Sequence, residues 1–471
     1  MIIASIFPVA LLALGFLFYV NTRTLMYLTI VSIFFPVILP FAGRDAITTG
    51  TITILLMFTR LLADSYKYKK SPVAKLDKWV YLLILLGTVS TAYTVWTGSL
   101  DQELIGEAVR KHVNFTSALL FFLVIRMYHA DRIRAGSGRG SHIETMLSVI
   151  LMLVSVHIFL SILVKLFPAA GVAFKIFLPR VQDTLDIVGR GDIERITSFT
   201  FSHEAYGEIL AVLSPVVMYK FYKDKNLVWM AVLFLFAIGE IFSVTRSGIA
   251  LFIIGVAASL LYHSIKKMEK TLALTLIGLT GSAILISIHP SILSDVALRF
   301  KDATDTYSST GSIFDSINRG FFRETWVLVV THLTWFGNGP LRTGFHNLFL
   351  TVVHQLGIVG AFVFFWILLY PLVELIRLHK NNPRSSIDRA LVFSCILSMV
   401  LFLINETKFE FTRHASYQQI CWGLFALYYS ISQTALNEVH QRIPAAGLKF
   451  HNGAASPHEK KIWWTPPEKA N

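Results

Sequence analysis

Long apolar runs recur along the whole chain, and they constrain its fold more than any other feature. About thirteen runs approach the roughly 20 residues that a helix needs to cross a bilayer. Of the 471 residues, 54% are hydrophobic and 15% are charged, against about 25% charged in an ordinary soluble domain. The pattern predicts an all-α polytopic integral membrane protein with about 12–14 transmembrane helices. The runs lie near 2–20, 24–42, 47–64, 79–98, 113–128, 143–167, 205–222, 227–244, 248–265, 271–289, 347–376, 389–404 and 416–434.

Lysine and arginine residues gather in five loops that fall on the same side if the spans alternate. Short cytoplasmic loops carry an excess of these residues, so we predict that this side is cytoplasmic. Two long loops, about 168–204 and 290–345, then fall on the outer face of the membrane. Residues 1–436 would form a single transmembrane domain, and the polar tail 437–471 a disordered cytoplasmic segment.

The distribution of charge and of cysteine excludes several classes of protein. The net charge of +13 resides largely in the short loops, which favours membrane orientation over binding to nucleic acid. Cys395 and Cys421 both lie in apolar runs, which argues against a disulfide framework and against a cysteine-ligated metal. The chain has no P-loop, no paired histidines at metal spacing and no serine-nucleophile elbow. We therefore expect no cofactor and no catalytic metal.

The stretch 337–360, GNGPLRTGFHNLFLTVVHQLGIVG, combines a glycine-rich turn with an apolar helix. Asn347 is placed to cap this helix, so His346 falls where a polar loop meets an apolar wall. The positive end of the helix dipole would attract an anion and hold down the proton affinity of His346. A neutral imidazole beside an anion site suits base-catalysed group transfer. The alternative is a histidine that only marks the membrane interface.

Several arginine residues lie in the predicted outer segments, where the positive-inside rule predicts few basic residues. Their presence there therefore needs an explanation. Arginine forks onto phosphate oxygens, so several converging arginines make a metal-free diphosphate clamp. The alternative is that they reach lipid headgroups or pair with nearby glutamates. Glu240, six residues before Arg246 near the end of the same span, is a possible partner. The candidate clamp residues are Arg195, Arg246, Arg319 and Arg342.

These motifs together resemble the signature of the O-antigen ligase and polymerase superfamily. The match consists of His346-Asn347, then nine residues, Gly357, two residues and Gly360, preceded by the turn WFGNGP. Arg195 before a helix entry, Arg246 in Thr-Arg-Ser-Gly, and Arg319 ahead of Trp326 add looser matches over roughly 190–375. The family often has leucine four positions after the second arginine, where this chain has Ala250 followed by Leu251.

The resemblance implies a GT-C-like membrane glycosyltransferase that acts at the periplasmic face. Such an enzyme passes a glycan from undecaprenyl diphosphate to an acceptor hydroxyl, with inversion and without a metal. His346 would be the base, Arg195 and Arg246 would hold the diphosphate, and Arg319 and Arg342 would help to position the substrates. The acceptor would be lipid A-core for a ligase or a lipid-linked glycan for a polymerase, and we favour the polymerase or exopolysaccharide role. The alternative from another class is a transporter or permease for a lipid-linked or anionic solute.

Overall fold

The computed structural model describes most of the chain between residues 20 and 442. Expectations that depend on other residues, including the first apolar run and most of the second long loop, lie outside the described part. The described ranges are 20–36, 38–41, 44–67, 74–96, 102–135, 141–167, 185–187, 194–196, 203–224, 226–243, 245–264, 333–337, 348–381, 387–407 and 415–442.

Within these ranges the regular structure is helical apart from two short antiparallel strand pairs, so the prediction of an α-helical fold is confirmed. The elements in chain order are α1 (Thr22–Phe34), β1 (Ile38–Phe41), β2 (Arg44–Thr48), α2 (Thr49–Lys67), α3 (Lys75–Trp96), α4 (Gln102–Arg134), α5 (Ser141–Leu166), β3 (Leu185–Ile187), β4 (Glu194–Ile196), α6 (His203–Asp224), α7 (Leu227–Ser243), α8 (Arg246–Ser264), α9 (Leu348–Asn381), α10 (Arg389–Asn405) and α11 (Ala415–Arg442). Helix α11 thus continues past the domain boundary expected at 436.

The second apolar run, 24–42, is not one helix. Helix α1 ends at Phe34, and the chain then forms the antiparallel pair of β1 and β2. Pro36 and Pro40 supply the reason, because proline has no N–H for the helix and disfavours helical geometry in the residue before it. Hydrophobicity alone did not reveal this break.

Four of the described helical stretches are long and apolar enough to cross a membrane. Four further apolar helices are shorter. These properties are those of an α-helical membrane protein. The four long stretches are Lys75–Trp96, Ile105–Arg134, Ser141–Val164 and Leu348–Lys380.

Helices α6 and α11 form the interior of the bundle. Every side chain of α6 from Ala205 to Tyr222 is buried, and α6 packs against α7, α8 and α10. Helix α11 packs against α4 and α9. Its Trp422 meets the rings of Phe122, Phe364 and Phe425 edge-on. A helix that is buried all round is expected to be mainly apolar on every face, which explains why both helices coincide with long apolar runs in the sequence.

The helix ends meet at two opposite ends of the bundle. At one, which we call the basic end, α5 begins and α6 and α8 finish. There Lys223 Nζ donates to Glu144 Oε1 at 2.7 Å, and the rings of Tyr222 and His263 stack at 4.4 Å. At the other, which we call the site end, α6, α8, α9 and α11 begin and α7 and α10 finish. The described Lys223 and the predicted site residue Glu240, near the end of α7, therefore belong to opposite ends.

Candidate functional site

The structure describes the predicted site residues to different degrees. Glu240 is described in full. Arg195 and Arg246 are described in their backbones, as the middle residue of β4 and the first residue of α8. The others lie outside the described residues: His346, Asn347, Arg319 and Arg342.

Two glycines of the sequence motif touch through their backbones. Gly337 has φ +83° and Gly357 has φ +69°, a region that favours glycine because other residues are strained there. A Cβ on Gly337 would collide with the backbone oxygen of Gln355, and one on Gly357 with the backbone nitrogen of Gly337. A Cβ on Gly360 would lie 2.6 Å from that of Leu356. The close approach of the turn and the helix therefore accounts for Gly337 and Gly357, while Gly360 faces a side chain of its own helix.

Helix α9 is broken at Gly357, and the turn at 334–337 satisfies the groups that the break releases. The amide of Ile358 donates to the Thr334 carbonyl at 3.1 Å, and that of Val359 donates to the Trp335 carbonyl at 3.3 Å. The Gly337 amide donates to Thr334 Oγ1 at 2.8 Å. An unsatisfied backbone group costs several kcal/mol in a bilayer, so a break in an apolar helix requires such partners.

Two further contacts fix the first part of α9. Ser90 Oγ on α3 donates to the Gln355 carbonyl at 2.8 Å, just before the break. The amide of Leu348, the first residue of α9, donates to the Glu406 carbonyl at 3.0 Å. Leu348 directly follows the His346-Asn347 pair in the sequence, so this helix start lies against the end of α10.

Glu240 is a buried carboxylate beside the first turn of α8. Ser243 Oγ donates to its Oε2 at 3.3 Å and accepts the Thr245 amide at 3.2 Å. The carboxylate also fills the space above two glycines: a Cβ on Gly248 would lie 2.8 Å from Oε2, and one on Gly207 would lie 3.1 Å from it. Since α8 begins at Arg246, the structure brings this carboxylate to the helix start that carries the predicted clamp residue.

The strand that carries Arg195 lies against the same helices. Strand β4 pairs with β3, with Arg195 opposite Asp186, and β4 contacts α5, α6 and α7. Helices α6 and α7 in turn contact α8, which begins at Arg246. The backbones of the two predicted clamp arginines are thus both placed around α6 and α7.

Two buried glutamates at the site end were missed by sequence reasoning. Glu208 on α6 and Glu406 at the end of α10 are both fully buried. Both carboxyl groups lie near Tyr417 and Cys421 of α11. Glu208 stands inside an apolar run and Glu406 directly after one. The rule that singled out Glu240, an ionisable residue within or at the end of an apolar run, would have found both.

The contacts form a continuous path across the site end. Leu348 bonds to the backbone of Glu406, and the carboxylates of Glu406 and Glu208 share the neighbourhood of Tyr417. Gly207, next to Glu208, lies against Glu240. Three buried carboxyl groups, those of Glu406, Glu208 and Glu240, thus lie along the site end.

Among the described residues, no group of three or more histidine, cysteine, aspartate or glutamate side chains is arranged to hold a metal ion. No protein-family model matches the chain, and no curated protein matches it.

Proposed function

We propose that this chain is a glycosyltransferase of the bacterial inner membrane, acting at the periplasmic face. It would transfer a glycan from undecaprenyl diphosphate to an acceptor hydroxyl, with inversion and without a metal, as an O-antigen or exopolysaccharide polymerase or as an O-antigen ligase. The observation that carries the proposal is the contact of Gly337 with Gly357. It joins residues 335–337 of the motif's turn to the helix that follows His346-Asn347 in the sequence, so two separate parts of the motif meet.

In this proposal the site end faces the periplasm. The long loops 168–204 and 290–345 are then periplasmic, and the apolar runs together make about 12–14 spans. The lysines and arginines of the basic end then lie in the cytoplasm, in agreement with the positive-inside rule. The tail 437–471 lies on the cytoplasmic side.

Each predicted residue has a defined part in the reaction. His346 takes the proton of the acceptor hydroxyl, a step worth about 10²–10⁴ in rate. Arg195 and Arg246 hold the diphosphate and stabilise the charge that develops as it leaves. Arg319 and Arg342 position the donor or acceptor, and Asn347 caps the helix. Glu240 fixes Arg246, which is supported by its burial beside the first turn of α8.

The direct test is transfer in a reconstituted membrane. The purified protein and its His346→Ala variant would receive an undecaprenyl-diphosphate oligosaccharide in proteoliposomes, with a chelator present and with lipid A-core supplied in a parallel reaction. A ladder of products indicates a polymerase, and transfer to lipid A-core indicates a ligase. Full activity in the variant would show that His346 only begins a helix.

The alternative is a transporter or permease for a lipid-linked or anionic solute. The break in α9 favours it, because transporters build their sites at discontinuous helices. Buried carboxylates at the same end agree with either function. The proteoliposome assay separates the two: movement of intact donor between leaflets without a new glycosidic bond would support the transporter and exclude the transferase.

A further inference from the structure

Helix α9 carries a continuous apolar stripe on its surface after the break. Its side chains recur at intervals of three or four residues, the spacing of one helix face. Each is substantially exposed, although all are apolar. The members of the stripe are Ile358, Phe362, Trp366, Leu369, Val373 and Ile376.

Helix α3, which packs against α9, carries a second stripe of the same kind. Its exposed members are Tyr81, Leu85, Val89, Tyr93 and Trp96. The rings of Trp79 and Trp366 approach to 6.2 Å, so the two helices present neighbouring faces. A combined apolar surface of this extent on long apolar helices fits the acyl chains of a bilayer.

The turn 333–337 lies at the end of the α9 stripe. Its Leu333, Trp335 and Phe336 side chains are 44%, 67% and 55% exposed. The turn is fastened to the stripe through the bond from the Ile358 amide to Thr334. The two aromatic side chains therefore extend the lipid-facing surface of α9 beyond its break.

The length of α9 places this turn at the boundary of the bilayer. Arg377, which is mostly exposed, marks the basic end. From Arg377 back to Gly357 is about 20 residues, or roughly 30 Å of helix at about 1.5 Å per residue, which equals the hydrocarbon thickness of about 30 Å. Gly357, and the turn that contacts it, thus falls at the opposite interface, where tryptophan is enriched.

We propose that the turn 333–337 is a lipid-binding anchor, in which Trp335 and Phe336 insert between the phospholipids of the leaflet at the site end. The hydrogen bonds that the Ile358 and Val359 amides donate to the turn connect this anchor to the break in α9. The lipid thereby fixes the height of the turn and of the broken helix relative to the membrane. This inference does not depend on the proposed transferase activity.

The depth of the turn can be measured by spin labelling of the whole protein in liposomes. Trp335→Cys and Phe336→Cys would each carry a nitroxide, and collision rates would be measured with oxygen, which enters lipid, and with a water-soluble nickel chelate. Phe362→Cys gives the lipid-facing reference. Tyr66→Cys, at an 89% exposed position close to Lys67, gives the aqueous reference. The native Cys395 and Cys421 are buried, and labelled wild-type protein measures any signal from them.

We expect the ratio of oxygen to nickel collisions at 335 and 336 to lie well above that at 66 and somewhat below that at 362, which lies about 7 Å deeper at about 1.5 Å per residue. A ratio equal to that at Tyr66 would place the turn in water and overturn the proposal. Low collision rates with both reagents would also overturn it, since the turn would then be covered by protein. Positions 335 and 336 are labelled in separate variants. If one variant fails to fold, the other still tests the proposal.

Discussion

At the scale of single residues, the glycines of the motif act as structural contacts. Gly357 adopts φ +69°, which costs other residues about 1–3 kcal/mol. A side chain there would also meet the backbone of Gly337 and Trp335. The motif spacing therefore reflects a backbone contact, whatever chemistry His346 performs.

Gly357→Ala should destabilise the protein by about 3 kcal/mol or more, because strain in φ and steric overlap add. Thermal unfolding in detergent, followed by size-exclusion chromatography, measures the effect. Gly106→Ala is the matched control, since a Cβ at Gly106 would meet nothing within 4 Å and alanine favours a helix. Equal stability of the two variants would show that the turn does not contact α9 in this way.

Glu240 offers a test of positioning at the site. Glu240→Gln keeps the size and the acceptor oxygen of the side chain but removes its charge. If the carboxylate fixes Arg246, turnover should fall on the order of 10²-fold, the effect of a misplacement of about 1 Å.

Two comparisons separate this positioning role from a structural one. Glu240→Asp should restore part of the activity, while the thermal stability of both variants should stay near that of the wild type. Glu107→Gln, which removes a partly exposed carboxylate that pairs with Lys111, should leave turnover unchanged. If Glu240→Gln also kept full turnover, Glu240 would have no part in the reaction.

At the scale of elements, α3 and α4 are joined by a buried ion pair. Arg126 Nε lies 3.6 Å from Asp77 Oδ1, and both side chains are almost fully buried. Asp77 also accepts the Ala74 amide at 2.8 Å, which closes the start of α3. The Arg126 guanidinium lies 4.8 Å from the ring centre of Tyr429 on α11. One residue thus ties three helices together.

Asp77→Ala should cost about 3–5 kcal/mol, because it leaves the arginine charge buried without its carboxylate. Asp64→Ala is the control, since it removes the partner of Arg60 in a pair that is partly exposed and that is worth about 0.3–0.5 kcal/mol. Chemical denaturation of both variants in the same detergent gives the comparison. Similar losses would mean that Arg126 finds another partner when Asp77 is removed.

At the scale of the whole molecule, the two ends of the bundle predict which positions face outward. Thr407, exposed at the end of α10, belongs to the site end. Leu227, 71% exposed as the first residue of α7, belongs to the basic end. A cysteine at 407 should react with a membrane-impermeant maleimide in intact cells, and one at 227 only after the inner membrane is permeabilised. The reverse pattern would place the site end in the cytoplasm and exclude a periplasmic reaction.

The sequence by itself determined which stretches are apolar, and from this most described helices follow. The runs near 143–167, 227–244 and 389–404 correspond closely to α5, α7 and α10. Apolarity is a local property, read over about 20 residues, so it needs no knowledge of distant contacts. The prediction of a single helix over 24–42 was wrong because prolines, rather than hydrophobicity, decide where α1 ends.

Only the tertiary structure decided which of these helices meet. The contact of Gly337 with Gly357 and the position of Glu240 between Gly207 and Gly248 depend on packing between separate segments. Glu208 and Glu406 both lie near Tyr417, although they are almost 200 positions apart in the chain. Such contacts arise because buried polar and backbone groups must find partners in an apolar interior. Which groups become partners is decided only when the helices pack together.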